Sequence, residues 1–514
     1  MPPTNQRSPG RPRRVAALLP VLLPALLVSA CATTTPRPLP VSEMPVARAW
    51  QAPLPHGGKL EALQSWWSQF DDPLVPGLIE SAQQANASIA RAASSIADAR
   101  AASVAGDAAR LPTLNAVASG NRGRPELSGS VANTASVGLQ ASWELDLFGA
   151  HRAGADAAHA RLQASETSWH DARVSVAAEV VRNYVELRAC EAQLMQAGLD
   201  ATSREQTSRL TTRAEHAGLR APAAAALARA SAAEGKAAVL QQREQCDLRV
   251  KALVALTARD EADLRRDFAA QAARLPRPAG FTVGSVPATV LAQRPDLRAA
   301  ALDVSAASAM QQQADAQRWP RITLSGSIGS AHVSSLGVSD QGTTWSVGPV
   351  AIVFPLFDGS MRKANARAAR VHYDTARTVY ASRIRDAIQE VESAFVTLDS
   401  STKRAEHARA ARDGYGRAFQ ASAASYRAGT ASLFELEDAR RMLLSSQVAL
   451  IDLERERLLA WVALYRATGG GWPTDDAADR GTRQGDTEGD TGDDASPPHH
   501  ISHTPAALAR ARNP

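Results

Sequence analysis

Residues 137–147 of the 514-residue chain read VGLQASWELDL. Every odd-numbered residue in this stretch is apolar, and every even-numbered residue is glycine or polar. A two-residue period is typical of a β-strand with one apolar face, and eleven residues is about the length that a tilted strand needs to cross a membrane. The stretch therefore predicts a transmembrane β-strand, with one strand of a soluble hairpin packed on helices as the alternative.

The chain contains a second copy of this region. Residues 78–112 align without gaps with residues 286–320, and Ala217-Gly218 aligns with Ala428-Gly429. The offset between the copies changes only from 208 to 211 residues between these matches. A register kept over so long a stretch indicates an internal duplication.

Each copy predicts two strands. Copy one has residues 114–121 before residues 137–147, and copy two has residues 322–328 before residues 345–354. Lipid does not tolerate open strand edges, and single-chain barrels have at least about eight strands. If the strands cross a membrane, four per chain predict a barrel that other copies of the chain complete, with eight strands in a dimer or twelve in a trimer.

Long helices surround the predicted strands. Gly218 suits the end of one helix and Pro222 the start of the next, so the chain turns back on itself there as a hairpin. At 1.5 Å per residue the longest helix would extend roughly 95 Å, so such helices must pack side by side in a bundle or tube. The predicted helices cover about 76–109, 154–216, 222–256, 361–428 and 432–467. The fold class is therefore mainly α with a membrane β-barrel.

The N-terminus has the features of a bacterial secretion signal. Basic residues between Arg7 and Arg14 precede a short apolar run over residues 15–30. This run is shorter than the ~20 residues of a membrane-spanning helix, so we expect residues 1–30 to be a signal peptide. Small residues before Cys31 resemble a lipobox, which predicts lipidation of Cys31, and the absence of Asp after it resembles outer-membrane sorting. An ordinary signal peptide with an incidental cysteine is the alternative.

The charge balance argues against a nucleic-acid partner. The formal net charge is +5, but four of the 57 basic residues lie in the predicted signal peptide, so the rest of the chain carries about +1. Aromatic residues make up only 5% of the chain, and no basic stripe with interleaved aromatic residues occurs.

The sequence carries no motif for catalysis or for a cofactor. Gly-rich phosphate loops, His-Glu-x-x-His, Cys-x-x-Cys and Gly-x-Ser-x-Gly are all missing, which predicts a protein that is not an enzyme and needs no cofactor or metal. The composition of residues 473–514 predicts a disordered tail. His499, His500 and His503 lie in that tail, and loose metal binding there is the less favoured interpretation.

The two remaining cysteines are placed symmetrically about the first hairpin turn. Cys190 and Cys246 each lie 28 residues from Gly218, which puts them at the same height in the hairpin, roughly 42 Å from its tip. An oxidising compartment favours a disulfide between them. Two buried free thiols that face different directions are the alternative.

An ordered set of motifs over residues 60–472 resembles the TolC-like outer-membrane factors, in particular the NodT-type lipoproteins of tripartite efflux pumps. The motifs are WWSQFDDPL at 66–74, LDLFG at 145–149, RPDL at 294–297, PLFDG at 355–359 and GGGW at 469–472. The resemblance implies a lipidated tether and equatorial segment over 31–75 and two efflux repeats over 76–285 and 286–472.

The resemblance also implies an assembly and a location. Members of this family are homotrimers, with a twelve-stranded barrel in outer-membrane lipid and a helical tunnel across the periplasm. The tunnel docks on a periplasmic adaptor, or membrane fusion protein, which is attached to an inner-membrane RND-type transporter. The implied function is a passive, gated exit duct for small molecules. A type I secretion duct and a non-conducting periplasmic coiled-coil scaffold are the alternatives.

The resemblance places a periplasmic gate at the second hairpin turn. Asp438 and Arg441 correspond to positions of interprotomer ion pairs and an acidic ring, and Glu435 to a further acidic ring. Tyr426 corresponds to a latch tyrosine, and Phe434 to an apolar constriction. A solvated charged helix face is the alternative.

Copy one departs from the family pattern at its own turn. Ala224 stands where the family carries an acidic residue, and Leu227 aligns with Asp438. A latch from Tyr426 to an acid at the copy-one position therefore cannot form, and we expect electrostatic closure to come mainly from copy two.

Overall fold

A computed structural model describes residues 67, 70–124, 131–277 and 291–470. The predicted signal peptide, the lipidation site Cys31 and the predicted tail 473–514 lie outside the described residues.

The two repeats share the order helix, two strands, long helix and returning helix, and repeat 1 has one additional short helix at each end. Repeat 1 contains α1 (Leu74–Ala85), α2 (Ala87–Ala108), β1 (Thr113–Gly123), β2 (Ala132–Leu145), α3 (Ala150–His216), α4 (Pro222–Thr257) and α5 (Glu261–Ala269). Repeat 2 contains α6 (Pro295–Ala316), β3 (Arg321–Ser335), β4 (Val338–Val353), α7 (Met361–Arg427) and α8 (Leu433–Ala467). The long helices agree with the predicted bounds to within a few residues.

The prediction of one continuous helix over 76–109 is wrong. Asn86 has extended backbone angles, φ −76° and ψ 123°, and its side chain accepts a hydrogen bond of 2.8 Å from the backbone N–H of Ser88. Asparagine is a preferred N-cap because its short side chain satisfies an otherwise unpaired N–H group. The segment therefore forms two helices, α1 and α2.

The strands also differ from the predicted bounds. β2 begins at Ala132 and ends at Leu145, so it extends further toward its N-terminus than the alternating stretch indicates. β3 continues to Ser335, and β4 already begins at Val338. Ladder hydrogen bonds join backbone groups and need no apolar side chain, so pairing continues through polar residues that interrupt the apolar alternation.

The four strands form one antiparallel sheet in the order β1-β2-β3-β4. The central pair joins the two repeats, since β2 pairs with β3 in a register that sets Gly138 opposite Gly329. Both faces of the sheet are largely exposed in the single chain, including Trp345 at 74% and Val347 at 84% of their surface. Among the described residues, the outer strands β1 and β4 each have one neighbouring strand.

The two long hairpins turn in the same way. Gly218 and Gly429 have φ of 71° and 78°, the left-handed region in which glycine is not strained. At each turn the glycine N–H and the N–H after it return to carbonyl groups of the preceding helix, at 2.8–3.1 Å, the pattern of a Schellman motif. The two hairpins of the chain pack together along α3 and α8.

The main hydrophobic core lies where the N-terminal segment packs on the long helices. The ring centroids of Trp67 and Tyr465 lie 4.3 Å apart, and those of Trp67 and Phe70 lie 5.4 Å apart. Tyr465 lies on α8, so this contact joins the segment before α1 to the end of repeat 2. None of the helices in the described ranges combines the length and the hydropathy needed to cross a membrane.

A buried polar cluster anchors the same region. Tyr184 donates a hydrogen bond of 2.5 Å to Asp72, and Arg188, which is fully buried, donates one of 2.9 Å to the Tyr184 hydroxyl. Burial and the hydrogen bond to Asp72 raise the pKa of Tyr184 above its usual range. Arg188 also binds the Glu191 carboxylate at 2.8 Å and the Phe268 carbonyl oxygen at 2.9 Å. The cluster therefore connects the N-terminal segment, α3 and α5.

The structure joins Cys190 and Cys246 by a disulfide. Their Cα atoms lie 5.6 Å apart and both residues are buried, within the usual Cα separation of about 4.4–6.8 Å for a disulfide. The bond holds α3 to α4 far from their turn.

Candidate gate at the helical tips

Tyr426 contacts repeat 1 through a threonine. Its hydroxyl lies 2.6 Å from that of Thr211 on α3, and both residues are buried. The Arg220 guanidinium lies over the Tyr426 ring, 5.0 Å from its centroid, which adds a cation–π attraction. The ring packs in a small apolar cluster with Leu433 and Leu436. The tyrosine therefore joins the two hairpins, with a hydroxyl partner in place of an acid.

Glu435 has a local structural role in the chain. Ser432 is the N-cap of α8, and its hydroxyl accepts a hydrogen bond of 3.2 Å from the Glu435 N–H. The Glu435 carboxylate in turn accepts one of 2.6 Å from the Ser432 N–H, which completes a capping box. The hydrogen bond from the Ser432 backbone N–H is the main cause that lowers the pKa of Glu435, and the Ser432 side chain lowers it further. In the single chain the carboxylate is therefore bonded to its own helix end.

Asp438 and Arg441 form a pair on one helix. Arg441 donates a hydrogen bond of 3.2 Å to Asp438, and both side chains are exposed. Phe434 is also largely exposed. In copy one, Leu227 is half exposed and no acid stands at Ala224. The structure thus brings the predicted residues 434–441 to the tip of the second hairpin, with charges on its surface.

A set of buried charges just above the tip was not predicted from the sequence. Arg440 is 3% exposed and reaches across from α8 to α3. It lies with Glu437, also on α8, and with Asp200 and Arg204 of α3. The signal in the sequence is their spacing, since Asp200 and Arg204 are four apart and Glu437 and Arg440 three apart, each pair on one helix face.

The described residues contain no group of three or more His, Cys, Asp or Glu side chains arranged to hold a metal ion. The chemistry available at the tips is hydrogen bonding, charge and apolar packing.

A small open sheet continued by two helical hairpins, each with one helix of 67 residues and a shorter returning helix, is the architecture of TolC-like outer-membrane channels. Residues 78–259 and 286–470 match the sequence profile of the family described as "Outer membrane efflux protein". The chain belongs to this family. The match falls into two segments, one in each repeat.

Relatives and solved structures agree with this assignment. The chain is 32% identical over 482 residues to outer membrane protein OprJ of Pseudomonas aeruginosa, which covers 90% of this chain and 97% of OprJ. It is 27% identical over 420 residues to nodulation protein T of Rhizobium leguminosarum bv. trifolii, covering 79% and 88%. The solved outer-membrane channel OprN is 27% identical, with a TM-score of 0.75 over 83% of this chain and 98% of that one.

These matches confirm the predicted family and fold class. The protein is an outer-membrane channel component of an efflux pump, and its helical hairpins lie in the periplasm. It is a transport duct and belongs to a family of channels, not of enzymes.

Proposed function

We propose that the protein works as a homotrimeric, passive exit duct for small molecules, which docks on a periplasmic adaptor and receives cargo from an inner-membrane RND-type transporter. The observation that carries the proposal is the four-stranded sheet, whose outer strands β1 and β4 lie at its two edges and whose faces are exposed. Unpaired backbone groups are not tolerated in lipid. Three chains that join β1 of one to β4 of the next would close a barrel of twelve strands.

The gate of this duct is assigned to repeat 2. Asp438 and Arg441 are exposed at the second tip, whereas the aligned tip of repeat 1 carries Ala224 and Leu227. Three copies of Asp438 that converge on a symmetry axis would repel anions and attract cations, and Arg441 of each chain could bridge them. Phe434 beside them would narrow the duct with an apolar ring.

The lipobox-like sequence at Cys31 and the NodT-like motifs favour small-molecule efflux over type I secretion. We expect Cys31 to carry the lipid that anchors the mature N-terminus in the outer membrane. Mass spectrometry of the mature N-terminal peptide tests this, because an unmodified Cys31 in protein taken from outer membranes would contradict the anchor.

Single-channel conductance in planar bilayers tests the duct and its gate. The test variant is Asp438→Ala with Arg441→Ala, and the matched control is Asp263→Ala with Arg266→Ala, another exposed pair three residues apart on a helix. We expect a small conductance in the wild type that rises several-fold in the test variant alone.

An unchanged conductance in the test variant would keep the duct and contradict the gate assignment. No conductance from any folded, membrane-inserted trimer would contradict the duct and favour the scaffold.

A further inference from the structure

Two neighbouring arginines on α8 occupy opposite environments. Arg441 has 69% of its side chain exposed and pairs with Asp438 on its own helix. Arg440 has 4% of its side chain exposed and extends into the seam between α8 and α3. An arginine buried to this degree must be compensated by partners, because an unpaired buried charge is strongly unfavourable.

The partners of Arg440 lie in both repeats. Its Nη2 atom donates hydrogen bonds of 2.9 Å to Thr207 and 3.2 Å to Ser203, both on α3. Its Nη1 atom pairs with Glu437 on α8. Its guanidinium carbon also lies 5.6 Å from the ring centroid of Phe419 on α7. Arg440 therefore contacts α3, α7 and α8 at once.

Repeat 1 contributes a matching pair of charges. Arg204 binds Asp200 at 2.6 Å and donates a hydrogen bond of 3.0 Å to Ser231 on α4. Ser231 donates one of 2.9 Å to Glu437 of repeat 2. Each repeat thus supplies one acid and one arginine to a set of four buried or half-buried charges.

One contact in this set is incomplete. Nε of Arg440 lies 3.8 Å from Oδ1 of Asp200, beyond hydrogen-bond distance, and neither atom has another hydrogen-bond partner in the described part of the chain. Within the residues that the structure describes, Arg440 Nε is a positively charged donor without an acceptor, and Asp200 Oδ1 is a negatively charged acceptor without a donor. Their attraction therefore favours keeping α3 and α8 together. Separating the helices would leave Asp200 without Arg440 and Arg440 without its α3 hydroxyl groups.

We propose that Arg440 is a positioning residue that couples repeat 1 to the gate helix α8. Repeat 1 has no acid at Ala224 to contact the second hairpin. The contacts of Arg440 with Asp200, Ser203 and Thr207 of α3 take the place of that missing contact. The two hairpins of one chain then move as one body near their tips, and the tunnel opens at the seams between chains. The inference about opening rests on the proposed function, whereas the coupling does not.

Hydrogen exchange of the detergent-purified protein tests the coupling directly. The variant is Arg440→Met, and its matched control is Arg441→Met on the next residue. Because a buried charge cluster loses one member, we expect exchange in residues 200–211 of α3 and in residues 433–441 of α8 to rise by about tenfold or more. The control should leave α3 unchanged.

Two further variants keep the test decisive. Arg440→Met with Asp200→Asn restores a neutral cluster and should recover part of the protection in α3. Thr207→Val removes the hydrogen bond that Thr207 accepts from Arg440 and the one of 3.1 Å that it donates to the Ser203 carbonyl oxygen, without a change of charge. It should therefore give a smaller increase in α3 even if Arg440→Met does not fold. Thr202→Val, at an exposed position of the same helix, is its control.

Increased exchange confined to α8, or equal effects of Arg440→Met and Arg441→Met on α3, would overturn the proposal. Conductance measurements then distinguish a failure of the coupling proposal from a failure of the proposed duct. If α3 loses protection as expected but no folded variant conducts, the coupling stands and the proposed duct fails. If the Asp438 and Arg441 variant conducts while Arg440→Met leaves both α3 exchange and conductance unchanged, the duct stands and the coupling fails.

Discussion

The hydroxyl groups of Tyr426 and Thr211 lie 2.6 Å apart, and they join the end of α7 to the end of α3. The Thr211 hydroxyl also donates to the Thr207 carbonyl oxygen at 2.8 Å, so the tyrosine is the donor of the shared hydrogen bond. This contact joins the second hairpin to the first within the single chain, and the partner of Tyr426 is a neutral threonine.

Tyr426→Phe removes that donor and leaves a buried hydroxyl with one fewer partner. We expect a loss of about 0.5–1.5 kcal/mol of stability, seen as a lower Tm in detergent, and a higher mean conductance. Tyr415→Phe, on an exposed tyrosine of the same helix, is the control. Thr211→Val breaks the same bond, so additive effects in the double variant would contradict this assignment.

Gly138→Ala should disrupt the pairing of β2 with β3. A Cβ atom on Gly138 would lie 2.6 Å from the Ile328 carbonyl oxygen, and the facing Gly329 is equally confined. Backbone must then shift, at a cost of about 1–3 kcal/mol. We expect less heat-resistant oligomer on gels. Gly120→Ala in β1 meets no atom within 4 Å, and equal losses in both variants would show that crowding is not the cause.

Reduction should destabilise the first hairpin. A disulfide between Cys190 and Cys246 closes a sequence separation of 56 residues, and disulfides typically contribute about 2–4 kcal/mol. Reductant should therefore lower the Tm of the wild type and leave that of the double Cys→Ala variant unchanged. Intact-mass analysis should show a gain of two hydrogens on reduction. Two alkylatable thiols in the non-reduced, denatured protein would refute the bond.

Acid should loosen the N-terminus of α8. The pKa of Glu435 is lowered in the folded chain, so its contribution to the capping box is complete above the unfolded-state pKa and is lost as the pH falls through the folded-state value. We expect faster hydrogen exchange at residues 433–436 at low pH, after correction for the intrinsic rate. Glu435→Gln should remove this pH dependence, and a wild-type response that persists in this variant would assign it to another group.

Much of the architecture follows from local signals in the sequence. Gly218 and Pro222 place the first turn within a residue or two. The left-handed conformation that ends a helix favours glycine, and proline is favoured in the first turn of the next helix. The strand ends were less predictable, since pairing partners decide them. The break at Asn86 does have a signal in the duplication, because the aligned residue Arg294 directly precedes the first residue of α6.

The tip residues show the limit of predicting a site from sequence. Asp438 and Arg441 lie at the second tip, and their role in a gate stays a prediction. The motif there does not distinguish Arg441 from its neighbour Arg440. Adjacent residues on a helix point about 100° apart, and which of them enters a seam depends on how α8 packs on α3. That packing is tertiary, so spacing along one helix does not reveal it.

The duplication has a consequence for the ancestry of the assembly. One repeat holds two strands and one long hairpin, so six half-length chains would supply the same parts as three present-day chains. Such an ancestral ring would have six-fold symmetry, and all of its seams would be identical. Fusion of two copies created two kinds of seam, free to diverge. Tyr426 with Thr211 and Arg440 with Asp200 are contacts of this kind between unlike residues of the two repeats. Gene fusion therefore left the interface within a chain free to evolve separately from the interface between chains.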